Sequence, residues 1–238
     1  MNRSTVFATA SGRMVDLLAP RPEDIDLCDV AEQLAKEPRF NGAPPGEAYS
    51  VGQHVCLGAD ALLERTGNWL AAAYFLLHDG HEFALKDDTT PKKRALDAIA
   101  SEHFGVLSGR IMAAFAELTD RWDAAIHAAA GLAWPPPDDV ARIVKHFDAV
   151  MLATEWRDLM QIPPPYDFGV KPLRRRIAGA WDWRLAKAEF IDRVLVLLPD
   201  RRTAASRAAG PSLPPASACP GLDPGGEPEG GPGEGSAP

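Results

Sequence analysis

Residues 70–77 read Leu-Ala-Ala-Ala-Tyr-Phe-Leu-Leu, an apolar run that predicts a helix buried on every side. The run ends abruptly in ionic residues: His78, Asp79, His81, Glu82, Asp87 and Asp88 follow within eleven positions. Charge at the end of a core element is costly unless it is paired or bound to a metal. This junction therefore constrains both the fold and the chemistry, because the chain must bury the run while satisfying the imidazoles and carboxylates at its end.

The surrounding pattern is helical. Leu27, Val30, Ala31 and Leu34 carry helical spacing over about 26–36. Ser50-Val51-Gly52-Gln53 reads as a capping box opening a helix to about Arg65, with Gly67 at its end. Asn68 caps a helix expected from Trp69 to Glu82, which would put His78, Asp79 and Glu82 on one side. Thr90 and Pro91 are read as the N-cap and first residue of a helix closed by Gly105. Two further helices are expected at 106–118 and 120–132, then a long one from Asp138 or Asp139 to about Met160, and a last one over roughly 181–198. A small β-hairpin is predicted around Ser11-Gly12. The expected fold is an all-α helical bundle with this hairpin at the front, spanning residues 1–200. Beyond it, Gly and Pro make up 16 of the 29 residues from Gly210 to Pro238, so 201–238 is expected to be a disordered tail.

A net charge of -8 disfavours a nucleic-acid-coating role, so no polymeric nucleic acid is expected as partner. The N-terminus lacks a sustained apolar stretch and no run approaches the roughly 18 residues of a membrane span. Cys28 and Cys56 read as small buried hydrophobes, and three cysteines without regular spacing suit a reducing compartment. These features lead to an expectation of a cytoplasmic protein without membrane attachment.

Three predicted helices deliver His54, the His78-Asp79 pair and Asp148. Two imidazoles and two carboxylates make a mixed nitrogen and oxygen donor set, which suits a divalent metal and leaves room for water. Glu82 is placed to touch a water there without being a ligand. Taken singly, each residue has a plainer reading. His54 could be satisfied by a backbone carbonyl, Asp148 by Lys145 or Arg157, and Arg39 could be a surface charge. His81 is read as structural or as a support behind the ligands, and His103, His127 and His146 as structural or surface residues.

The ordered set His54, His78-Asp79, Asp148 resembles that of the HD-domain metal-dependent phosphohydrolases. "LHDGHEFALKDDTTPKKRAL" is similar to the HD-x-x-E … D-x-x-T-P-x-K block of HD-domain 5′-deoxyribonucleotidases and phage-type dATP triphosphohydrolases. The resemblance covers roughly residues 5–198. It implies His54, His78, Asp79 and Asp148 as ligands of one divalent ion (Mn, Co, Zn, Fe, Ni or Mg), with additional Mg accompanying a triphosphate. It implies Glu82 as the catalytic glutamate, together with Asp79. Asp87 falls on the sugar-side aspartate and Lys93 on the family lysine. Arg39 would meet phosphate and Phe40 the base. Lys86 stands where a Gly is usual, and Phe40 where Trp is usual.

The implied activity is hydrolysis of (deoxy)nucleotides by a homo-oligomer, with a purine deoxynucleoside triphosphate favoured by the basic loop Lys86, Lys92, Lys93 and Arg94. The alternatives are a 5′-deoxyribonucleotidase, a non-catalytic nucleotide- or metal-binding protein, and hydrolysis of a cyclic dinucleotide or alarmone. The segment 171–176, Lys-Pro-Leu-Arg-Arg-Arg, reads as a solvated basic patch or as a source of charge for phosphate.

Overall fold

A computed structural model describes residues 5–198. The expected tail, 201–238, lies outside them. The chain opens with two short strands, β1 (Val6–Ala8) and β2 (Met14–Asp16), paired antiparallel. Helices follow: α1 (Leu27–Lys36), α2 (Val51–Thr66), α3 (Trp69–Leu77), a single turn α4 (Glu82–Leu85), α5 (Thr90–Phe104), α6 (Arg110–Ala129), α7 (Asp138–Leu159) and α8 (Trp183–Leu197). No helix among the described residues is long and apolar enough to cross a membrane.

The centre is α3, whose residues Ala71 to Leu77 are all buried, as its uninterrupted apolar run requires. Helices α2, α7 and α8 pack around it, and α1 closes the bundle against α2 and α8. The hairpin is tied down by Asp29 of α1, whose carboxylate accepts from the Thr9 hydroxyl and the Ser11 amide, each at 2.7 Å. Phe7 of β1 packs edge-on against Phe83 and Trp122 at 5.9 and 5.7 Å. Cys56 is buried in α2, and Cys28 is half-buried in the first turn of α1.

Several expectations are corrected. The helix begun at Trp69 ends at Leu77 and does not reach Glu82. The chain tightens into a turn, with Gly80 N donating to Leu77 O at 2.8 Å and Glu82 N to Asp79 O at 3.1 Å. A Cβ on Gly80 would sit 2.8 Å from Leu77 O, so the turn needs glycine. Glu82 starts the separate turn α4. Of the capping box, only half forms: Ser50 Oγ accepts from Gln53 N at 3.1 Å, while the Gln53 side chain is engaged by Gly179 and Trp181. Thr89, not Thr90, precedes the first residue of α5, and Pro91 is the second helical residue.

The two helices expected over 106–132 are one, α6, beginning at Arg110. The boundary expected between 118 and 120 is spanned by a Glu117–Arg121 ion pair at 2.8 Å, an i,i+4 contact that supports continuous helix.

Helices α2 and α3 approach closely at Gly58, where a Cβ would fall 2.0 Å from the Phe75 ring. Phe75 is fully buried and its ring centroid lies 4.5 Å from that of His78, so it cannot retreat without moving the site. Gly58→Ala is expected to lower stability by about 1–3 kcal/mol through overpacking, read from the denaturant midpoint. An unchanged midpoint would mean that α2 and α3 part there at little cost.

Candidate metal centre

Three elements converge. His54 comes from the first turn of α2, His78 from the residue after α3, and Asp148 from the middle of α7. One donor atom from each lies within 4.8 Å of the others. The bundle builds this by burying the helices that carry the imidazoles: His54 is fully buried and its ring centroid is 5.3 Å from that of His78.

Both imidazoles are oriented from behind. His54 Nδ1 meets Glu155 Oε1 at 2.5 Å, and His78 Nδ1 meets Phe75 O at 2.7 Å. With Nδ1 committed as the donor, Nε2 of each ring is the nitrogen turned toward the neighbouring carboxylates, and an ion would bind there in place of a proton. Neither Nε2 makes a hydrogen bond, although both are buried. Carboxylate oxygens stand near them without bonding: Asp148 Oδ1 is 3.4 Å from His54 Nε2 and 3.7 Å from His78 Nε2. Asp79 Oδ2 is 3.7 Å from the first and 3.3 Å from the second. Donors held at about 2.0–2.1 Å around a tetrahedral ion stand about 3.4 Å apart. The spacing of His54, His78 and Asp148 therefore fits an ion among them, while Asp79, expected as a fourth ligand, stands near both imidazoles but outside the three whose donor atoms all lie within 4.8 Å of one another.

The site's electrostatics follow from its crowding. Burial works against charge on His78, but Asp79 and Asp148 outweigh it and raise its pKa to about 10. Burial would push Asp148 up, but the two imidazoles hold it far below the usual carboxylate range. Glu82 is pushed up to about 9 by burial first, then by the charges of Asp79 and Asp87. Its Oε2 is buried without a hydrogen-bond partner.

Arg39 lies at the start of a short 3-10 turn, Arg39–Gly42, in which Phe40 and Asn41 take left-handed backbone angles, φ 56° and 51°. That turn carries the guanidinium inward, 3.2 Å from both Asp79 Oδ2 and Glu155 Oε2. Arg39 is thus not a surface charge. Phe40 packs edge-on against Trp156 at 5.9 Å. Asp87 is half-buried, its carboxyl raised by burial and by Asp79 and Glu37 while Arg39 and Lys93 pull it down. Asp88 is paired with Lys92. Asp87 is thus the aspartate of the pair whose charge is felt at the site. Lys93 lies over the Phe115 ring at 5.6 Å.

Lys86, standing where glycine is usual, adopts φ 72° and ψ 161°, a region occupied almost only by glycine. Its Nζ is held by Glu37 at 3.0 Å, and Glu37 also accepts from Asp87 N at 3.2 Å.

Sequence reasoning missed Glu155. Fully buried, it takes Tyr49 Oη at 2.9 Å, His54 Nδ1 and Arg39 Nε. Burial alone would raise its pKa; Arg39 and His54 hold it below the usual value. The plain readings of the partners of Asp148 fail, since Arg157 is paired with Asp158 instead. His81 is structural, bonded to Asp123 at 2.9 Å, and His127 is buried against Tyr74.

Fold and site together define an all-α protein with a candidate centre for a divalent metal. The chain belongs to the same family as an uncharacterised protein of Rhodobacter capsulatus, to which it is 36% identical over 151 residues, spanning 61% of this chain and 68% of that protein. No protein-family profile matches the chain.

Proposed function

We propose that the chain is a divalent-metal-dependent phosphohydrolase of the HD type, acting on (deoxy)nucleotides. The observation that carries this reading is the pair of buried imidazoles, each fixed through Nδ1 and each with an unbonded Nε2 facing Asp148 and Asp79. His54, His78 and Asp148 would hold the ion, with Asp79 as the fourth donor. When bound, such an ion supplies Lewis-acid polarisation of a phosphoryl oxygen and an acidified water.

The chain's own residues do the rest. Glu82 brings beside Asp79 a carboxyl that holds its proton to unusually high pH, which suits it to orient the attacking water and to deliver a proton to the departing group. Arg39, buried between two carboxylates, offers a fixed positive charge to the attacked phosphate. Asp87 and Lys93 flank the approach, and Phe40, backed by Trp156, offers a ring face to a base.

A purine deoxynucleoside triphosphate is the first candidate substrate. A 5′-deoxyribonucleotidase is the second reading, favoured by one observation: Lys86 and Lys92 are paired with Glu37 and Asp88, which leaves less free positive charge for β- and γ-phosphates. Incubation with dNMPs, dNTPs and NTPs in Mn²⁺, Co²⁺, Zn²⁺ or Mg²⁺ separates the two. Tripolyphosphate from dATP supports the first, and inorganic phosphate from dAMP the second. Absence of turnover with metal bound would defeat both and leave a binding protein. Glu82→Gln is expected to retain metal while turnover falls by about 10²–10⁴. Joint loss of metal and activity would instead make Glu82 a ligand.

A further inference from the structure

Between α7 and α8 the chain runs without regular structure, yet side chains of α2 and α7 pin its backbone at Leu173, Arg175, Ile177, Gly179 and Trp181. Leu173 N donates to Thr154 Oγ1 at 2.8 Å and Ile177 N to Asp158 Oδ2 at 2.9 Å. Gln53, buried in α2, donates to Gly179 O at 2.9 Å and accepts from Trp181 N at 2.8 Å. Between this strap and α2 lies a cavity of about 970 Å³. Its cations are Arg65 from α2 and Lys171, Arg174, Arg175 and Arg176 from the strap. Against them stand two lining carboxylates, Asp60 and Glu64, and Asp60 is already paired with Arg193 at 2.5 Å. Among the described residues, Arg176 is the one cation of the five in an ion pair, with Asp158 at 3.3 Å. Apart from Gln53, the remaining wall is mostly apolar and includes Leu57, Met151, Ile177 and Trp181.

An accumulation of unpaired arginines is out of character in a chain of net charge -8. These cations are exposed, so water screens their repulsion, but gathered on a pinned backbone they set up a local positive potential that favours an anion. We propose that this cavity binds a phosphate-bearing ligand with a flat apolar portion, the nucleoside polyphosphates being the class that has both. Phosphates would meet the forked guanidinium groups of Arg174 and Arg175, which match phosphate geometry with paired donors. The base would lie against Trp181 and its aliphatic neighbours. The cavity is of the size that holds a ligand of this class. None of its lining residues is a donor of the metal centre, so binding here does not require hydrolysis there.

The test is isothermal titration of the full-length chain, without divalent metal, using inorganic tripolyphosphate and dATP as probes. Both are expected to bind, to bind His78→Ala equally well, and to bind less tightly as salt is raised. Arg174→Glu combined with Arg175→Glu should weaken both by about 10- to 100-fold with the melting temperature unchanged. Trp181→Ala should weaken dATP while leaving tripolyphosphate untouched, and that retained affinity reports that the strap is still in place. The proposal is overturned by absence of saturable binding, by salt-insensitive binding, or by binding lost in His78→Ala and retained in the charge-reversed protein. Equal affinities of the Trp181→Ala protein and the parent for dATP would remove the apolar half of the site.

Discussion

Asp148→Asn protein is expected to carry background levels of divalent metal and to turn over no nucleotide, while its helical circular dichroism is unchanged. The substitution keeps the shape of the side chain but removes the negative charge facing both imidazoles at 3.4 and 3.7 Å. The half-exposed position on α7 explains why the fold should tolerate it. Loss of an ion contributing several kcal/mol of transition-state stabilisation corresponds to a rate decrease of about 10³-fold or more. Metal analysis of the purified protein decides the matter, and stoichiometric metal with normal turnover would remove Asp148 from the centre. Asp79→Asn should behave alike in metal content, but it also deprives Arg39 of one of its two carboxylates.

The second large effect is expected at Glu155. Glu155→Leu should cost about 3–5 kcal/mol of stability, because it leaves the Arg39 guanidinium with one buried partner fewer and the Tyr49 hydroxyl with none of its Glu155 contact. Glu155→Gln is the milder probe. It keeps the volume and a hydrogen-bond acceptor but weakens the hold on His54 Nδ1, and metal affinity should drop about 10- to 100-fold. Chemical denaturation and metal titration of the two variants separate the roles. If Glu155→Gln binds metal as the parent does, Glu155 acts only in packing Arg39 and Tyr49.

Why was His54 legible in the sequence and Glu155 not? Capping residues and glycine mark the ends of α2, and His54 falls one turn inside a clear start, so its helix and its depth were readable. The His78-Asp79 pair announced itself by following an apolar run. Glu155 sits in Ala-Thr-Glu-Trp-Arg-Asp, where a carboxylate two residues before an arginine reads as ordinary helix surface. Only the tertiary approach of Arg39, from 116 residues away, makes it interior. One signal could have exposed it: on α7, Glu155 is seven residues after Asp148, two helical turns along the same face.

The end of α3 was misread for a related reason. His78 to Glu82 carries no Pro, and Gly80 within a helical pattern is only a weak breaker. The chain leaves the helix through a tight turn in which Gly80 N donates to Leu77 O at 2.8 Å, an approach that a Cβ at residue 80 would obstruct and that composition alone does not reveal. Residues 106–132 were expected as two helices, whereas Glu117 and Arg121, four apart and paired, lie on one continuous helix.

The candidate donors come from α2, from the residue after α3 and from the middle of α7, so an ion among them would clasp three separate helices. An ion that clasps the folded chain and not the unfolded one shifts the folding equilibrium by mass action. At a concentration one hundred times its dissociation constant the gain is about 2.7 kcal/mol. Thermal melting in a series of divalent ions therefore ranks them by affinity for this chain before any substrate is known. The ion that raises the midpoint furthest is the one to place in the turnover assay first.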